Sequence, residues 1–332
     1  MKSVRLIAFV LAAAALLSLA ACRKIPRSTK EERTAVASID EFEVPYELLR
    51  YLVRNAMRDE AQGDDAYWTE ARAAERQEAL YEAAFDRLRT QYAVFSLGKK
   101  YDIDRTSGAI TELVDSLMTD HIAAYEDEAA YAAALRENYM TDSVYRFFTT
   151  VEVCEEELYY AMLDAGDLEA DDAKIEPLVR GGEFIRVKQI LITTEDGKSA
   201  EAMRAEAEEA RRRAAAGEDF DALVSEYGED LFMFHNPDGY YICRGLWYTA
   251  FEDAAFALPV GGVSEVIETA AGCSVLLRCE KEEAYLAAHM ADLCDDWREA
   301  QFSLKIEERA AAMNVVRREA LDAYTPLTMT MQ

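Results

Sequence analysis

The sequence predicts an α+β protein. A helical domain is built from both chain ends, and a smaller domain of four mostly antiparallel strands flanked by helices is inserted between them. Three observations predict it. Two stretches, from Tyr46 to about residue 165 and from Glu282 to Met313, repeat apolar residues at spacings of three and four and are rich in Ala, Glu, Arg and Leu. After Pro177-Leu178-Val179-Arg180-Gly181-Gly182 the pattern changes to the order β-α-α-β-α-β-β. The chain then ends on a short strand-like run that needs a partner, and the run near 35–44 is the one available.

Taken in order, the chain opens on MKSVRLIAFVLAAAALLSLAAC. Lys2 and Arg5 precede an apolar run from Leu6 to Ala21 that is too short and wrongly flanked for a membrane span, so it reads as a secretion signal. Its end, Leu19-Ala20-Ala21-Cys22, resembles a bacterial lipobox. Residues 1–21 are therefore expected to be a lipoprotein signal peptide, with Cys22 as the lipidation site. Several acyl chains there give stable anchoring. Residues 22–33, basic and polar with Pro26, read as a tether.

The helical domain is expected over 34–180 and 281–332. It begins with one short strand near 34–46. Helices follow at YELLRYLVRNAMRDEA, at 68–97, and at about 107–138, 141–150 and 154–165. Tyrosines recur there, and helix packing accounts for them more simply than a cradle for apolar peptide. In the inserted domain, 181–280, FIRVKQILIT (184–193) is the most strand-like run of the chain. A helix at 199–215, a short helix at 219–228, a loop, and a strand at YYICRG come next. TAFEDAAFAL is helical, Pro-Val-Gly-Gly turns, and VSEVIET and CSVLLRC are strands. The long C-terminal helix carries His289 in its apolar stripe, as an ordinary helix-face residue.

The formal net charge is -28. A chain this acidic repels nucleic acid and anionic surfaces, so no nucleic-acid partner is expected. Losing residues 1–21 removes two bases and no acids, which deepens the charge. With Cys22 lipidated, five cysteines remain, an odd number that is no disulfide framework. Cys273 and Cys279 lie about 20 Å apart along one strand at about 3.3 Å per residue, too far to bridge each other. A Cys243 pairing with a neighbouring strand stays open. No CxxC or Cys/His cluster exists, so no structural metal is expected. No G-x-S-x-G is present to support serine hydrolase chemistry.

IRVKQILI, GEDFDALVSEYGED, RGLWYTAFEDAAFAL and PVGGVSEVIETAAG carry a resemblance. Residues 184–280 resemble the parvulin-type peptidyl-prolyl isomerase domain. With the lipobox, the flanking helices and the C-terminal return, the whole chain looks like a PrsA-type extracytoplasmic foldase lipoprotein with a SurA-like helical chaperone domain. The resemblance implies prolyl cis-trans isomerisation with no covalent step and no cofactor. It implies a proline pocket at Trp247 and Phe251, with a third wall from Tyr240, Tyr241 or Ile242, of which Tyr241 and Ile242 are carried forward. It implies catalytic positions at Asp230, Gln189 and Ser274. The family's paired histidines are replaced by Gln189 and Ser274, which can bond to each other or to Asp230 but do not titrate near neutral pH. Ala271 stands at the family's hydroxyl position, and His235 lies in a nearby loop.

The expected partners are unfolded or partly folded exported proteins, with the chain anchored to the outer face of the bacterial cytoplasmic membrane. Three readings stay open, the first two an isomerase and a non-catalytic holdase whose parvulin module only binds peptide. A scaffold without clients is the third.

Overall fold

A computed structural model of the chain describes residue 25 and residues 27–61, 66–193, 198–269 and 271–331. The expected signal at 1–21 and Cys22 lie outside them.

Strands β1 (Ala35–Ile39) and β2 (Phe42–Pro45) form an antiparallel hairpin. One strand is expected there from the sequence. The turn that splits it sits at Asp40, whose φ of 48° is a left-handed conformation that Asp tolerates. Helices α1 (Tyr46–Ala61), α2 (Glu70–Gly98), α3 (Gly108–Ala123), α4 (Glu128–Glu137) and α5 (Asp142–Asp164) follow. Thr69, Ser107, Asp127 and Thr141 each accept a first-turn N–H and so start the last four. The single helix expected at 107–138 is thus two, divided before Asp127. The two expected at 141–150 and 154–165 are one.

Then come α6 (Asp172–Arg180), β3 (Ile185–Ile192), α7 (Ala200–Ala215), α8 (Phe220–Tyr227), α9 (Leu231–His235), β4 (Tyr240–Ile242) and α10 (Thr249–Ala257). Strands β5 (Ile267–Thr269) and β6 (Gly272–Cys279), helix α11 (Glu283–Ala311) and strand β7 (Val315–Arg317) complete the order. Helices α6 and α9 occupy segments read from sequence as boundary and loop. His289 departs from helical geometry inside α11, at φ −118° and ψ 15°, and marks a kink.

Two sheets result. One has the order β2-β1-β7, so the terminal strand pairs with the expected partner, Ala37 opposite Arg317. The other has the order β4-β3-β6-β5, antiparallel throughout. The first core joins the hairpin, α1–α3 and α5 to Phe302, Ile306 and Ala310 of α11. A second core fills the four-stranded sheet and its helices. A third cluster joins α6, β4 and α11 through Val179, Tyr241, Cys243 and Leu293.

The segment expected as a tether is drawn into the fold from Ser28 onward. Its hydroxyl donates to Glu47, and Glu32 pairs with the fully buried Arg50 at 3.1 Å. An isolated buried guanidinium is costly, so Glu32 fixes this segment against α1. Among the described residues no helix is long and apolar enough to cross a membrane. Cys154, Cys243, Cys273, Cys279 and Cys294 are all free thiols.

Candidate active site

Strand register decides which side chains meet. Tyr240 lies opposite Val187, Gln189 opposite Leu276, Leu191 opposite Ser274, and Ser274 opposite Ile267. Directly paired residues share a face, and faces alternate along a strand. Tyr240, Ile242, Gln189 and Ser274 therefore lie on one face of the sheet. Lys188, which bonds Asp221 of α8 at 2.6 Å, lies on the other.

Four rings run in sequence above the first face. Phe232 stacks on Tyr240 at 4.4 Å. Tyr240 meets the edge of Trp247 at 4.8 Å, and Trp247 stacks on Phe251 at 5.0 Å, with ring planes 16° apart. Phe251 is buried and Trp247 half-buried, so Phe251 is the floor of this aromatic cleft and Trp247 covers it. The rings come from α9, β4, the 243–248 loop and α10.

Asp230 precedes α9 and caps it, accepting from Phe232 N at 2.9 Å. Its other carboxylate oxygen accepts the Tyr240 hydroxyl at 2.5 Å. Burial first, and then this bond, hold the Tyr240 phenol well above its usual range, so it stays protonated and donating. Gln189 Nε2 donates to Ser274 Oγ at 2.9 Å, across the diagonal between β3 and β6. Gln189 is 5% exposed and Ser274 1% exposed. Of the two partners foreseen for this pair, each takes the other, while Asp230 is tied to Tyr240. Neither side chain exchanges a proton near neutral pH, so what the pair does chemically is tie the two central strands together.

Tyr241 is not in the cleft. It sits opposite Arg186 on the other face, its ring stacks on Tyr285 of α11 at 4.2 Å, and its hydroxyl accepts Glu282 N at 2.9 Å. The alternation of β4 is the reason: Tyr240 and Ile242 share the cleft face, and Tyr241 must turn away. Ile242 is buried in the sheet's core. His235 ends α9 as an exposed residue, and Ala271 is exposed in the β5–β6 turn.

Two contributors had no clear sequence signal. Phe232 lies in a stretch read as loop. Glu252, inside the FED motif, is buried, and its Oε1 accepts the N–H groups of Gly245, Leu246 and Trp247 at 2.8, 3.1 and 2.9 Å. Successive N–H groups converging on one oxygen form an anion nest. The one cue was an acidic pair, Glu252-Asp253, set beside Phe251 in a helix otherwise rich in Ala and Phe. A cavity of about 380 Å³ lies away from the rings, lined by Lys188, Asp221, Leu277 and Cys279 on the opposite face.

A family model described as "Rotamase: PPIC-type PPIASE domain" matches residues 189–280. The foldase protein PrsA of Halalkalibacterium halodurans is 35% identical over 80 residues, which are 24% of this chain and 24% of that protein. The match thus spans about a quarter of that relative, 24%. Among solved structures, foldase protein PrsA from Streptococcus pneumoniae is 18% identical, covering 80% of this chain and 91% of its own, with a TM-score of 0.36. NmPin, the parvulin of Nitrosopumilus maritimus, is 29% identical, covering 30% of this chain and 97% of its own, with a TM-score of 0.25. The four-stranded antiparallel sheet, the aromatic cleft and the family match over 189–280 lead to one statement: this chain carries a peptidyl-prolyl isomerase domain of the PPIC, or parvulin, type.

Proposed function

We propose that the chain is an extracytoplasmic folding factor that isomerises prolyl bonds in extended stretches of unfolded or partly folded exported proteins. The observation that carries the reading is the aromatic cleft floored by Phe251 within the PPIC-type segment. Rotation about a prolyl bond is opposed by about 18–20 kcal/mol of amide resonance. No bond need be made or broken, only the twisted amide favoured over the planar one. Apolar rings that take the proline ring out of water remove solvation from the planar carbonyl, and this is the direction catalysis requires. Asp230 contributes by fixing Tyr240 in the ring series, and the Gln189–Ser274 pair by fixing the strands beneath it.

The test is the cis-to-trans relaxation of a short proline peptide, with the wild type and with Phe251→Ala and Asp230→Ala. Acceleration by the wild type that falls most in Phe251→Ala is expected. No acceleration by the wild type refutes the isomerase reading.

One observation favours the second reading, a non-catalytic holdase: Gln189 and Ser274 offer no imidazole, and Trp247 covers the floor of the cleft. Suppression of client aggregation without acceleration of the peptide selects it. We place the chaperone surface in the helical domain, 34–180 and 281–332, and the isomerase in 181–280. Anchoring through a lipid at Cys22 completes the proposal. Cys22→Ser is expected to move the protein out of the membrane fraction.

A further inference from the structure

The cleft's covering ring, Trp247, sits on a loop that the sheet alone does not hold. Residues 243–248 run between β4 and α10. Their outer side lies against α11, which also builds the helical core through Phe302 and Ile306. Cys243 Sγ is 4.0 Å from the Asp296 carbonyl oxygen. At Gly245, φ is +107°, and a Cβ placed there would lie 2.7 Å from the Ala300 carbonyl oxygen and 2.9 Å from Leu304 Cγ. Only glycine permits both this backbone and this approach. The inner side is gathered by Glu252, whose buried carboxylate accepts three consecutive loop N–H groups.

We propose that α11 is a wall of the isomerase cleft, and that Gly245 and Glu252 are positioning residues that hold Trp247 over Phe251. Gly245 lets α11 close on the loop from outside, and Glu252 fixes the loop from within. Any displacement of α11 against the sheet therefore passes to Trp247 through Gly245. The chain's helical domain, which shares α11, sets the geometry of the cleft. The peptide-binding consequence rests on the proposed function, whereas the position of Trp247 does not.

The experiment uses the full chain with Trp68→Phe and Trp297→Phe, which leaves Trp247 as its one tryptophan. Gly245→Ala and Glu252→Gln are compared with Gly261→Ala. That control shares a positive φ, +80°, but has nothing within 4 Å of an added Cβ. Acrylamide quenching of Trp247 and the KM for a proline peptide are measured, with peptide affinity replacing KM if the wild type shows no turnover.

In both test variants quenching is expected to rise above the control. KM should rise about fivefold, on the order of the weakening of one loop hydrogen bond, while kcat changes little. Glu252→Gln, which adds no bulk, carries the test should Gly245→Ala fail to fold. Quenching in Glu252→Gln equal to that of the Gly261→Ala control overturns the proposal. A wild type without isomerase activity, but with the quenching change intact, refutes the functional reading and leaves this one standing.

Discussion

Replacing Asp296 by Asn should stabilise the protein at neutral pH and do nothing for it in acid. Asp296 lies on α11, with its backbone carbonyl against Cys243. Burial pushes its carboxyl up to about 6, with Asp292 and Asp295 adding to the rise. The ordinary value is 3.8, so the shift is about two units, and each unit is worth about 1.4 kcal/mol. A native-state value above the unfolded one means that the folded chain binds the proton more tightly. Stability from this group is therefore fully present below pH 3.8 and lost as pH rises through about 6. Asp296 is only partly buried, so solvent screening cuts this, and at pH 7 the ionised carboxylate costs about 1–2 kcal/mol. The Asn side chain copies the protonated shape without that cost. Chemical denaturation at a series of pH values measures the difference between variant and wild type. It should be largest at pH 7, shrink through about pH 6, and be near zero in acid. A difference that is the same at both ends refutes the assignment of strain to this carboxylate.

Four further outcomes are expected. Ser274→Ala leaves the buried Gln189 amide without its acceptor and should cost about 1–3 kcal/mol of stability. The isomerisation rate of the wild type should stay flat between about pH 7 and 8, above the range in which Asp296 titrates, because neither partner titrates there; a bell-shaped profile would contradict the structural role given to the pair. Glu32→Ala strips the ion partner from Arg50 and should cost about 3–5 kcal/mol, much of which Glu32→Ala with Arg50→Met should restore in thermal melts. Burial raises the Glu32 carboxyl, but the Thr29 N–H and then Arg50 outweigh it and leave it below its usual range. The stability it supplies is therefore present above the ordinary carboxylate range and is lost on acidification. Tyr240→Phe keeps the ring series and removes the bond to Asp230. About 1–2 kcal/mol of stability should go with it, and peptide affinity should fall less than in Phe251→Ala.

Much of the architecture was readable because local and global signals agree. Helices α2, α3 and α5 begin close to where the sequence puts them, at Thr69, Ser107 and Thr141, whose side chains cap them. Strand β3 combines β-branched residues with a turn signal before it, and the orphan terminal strand had one plausible partner. The misses occur where packing overrides propensity. Val151, Glu152 and Val153 fall between the two helices expected at 141–150 and 154–165. In α5 they continue one helix, because Thr149, Val151 and Val153 are buried against the core. Pro177 read as a boundary, yet it lies within α6, a helix held by Ile175 and Val179 in the junction cluster.

The site divides along the same line. Residues fixed by a contiguous motif, Trp247 and Phe251, were legible, and they stack. Those fixed by register were legible only as a set of three, and the period of two alone chooses Tyr240 over Tyr241. Glu252 serves backbone groups of a loop that precedes its own helix, and no linear pattern announces such a role. Gln189 and Ser274 are the instructive pair. As substitutions for two histidines they look like a lost centre. In three dimensions they meet at 2.9 Å, buried and bonded to each other. A hydrogen-bonded link between the central strands is thus present with groups that cannot carry a proton at neutral pH. If the link alone suffices for prolyl isomerisation, the enzyme works by shape and desolvation, and its rate is independent of pH. If the imidazoles were needed for their chemistry, the same fold binds proline and does not turn it. Acceleration of proline-peptide relaxation by the wild type, with a rate that stays flat with pH, selects the first case more directly than any substitution at the pair, and binding without acceleration selects the second.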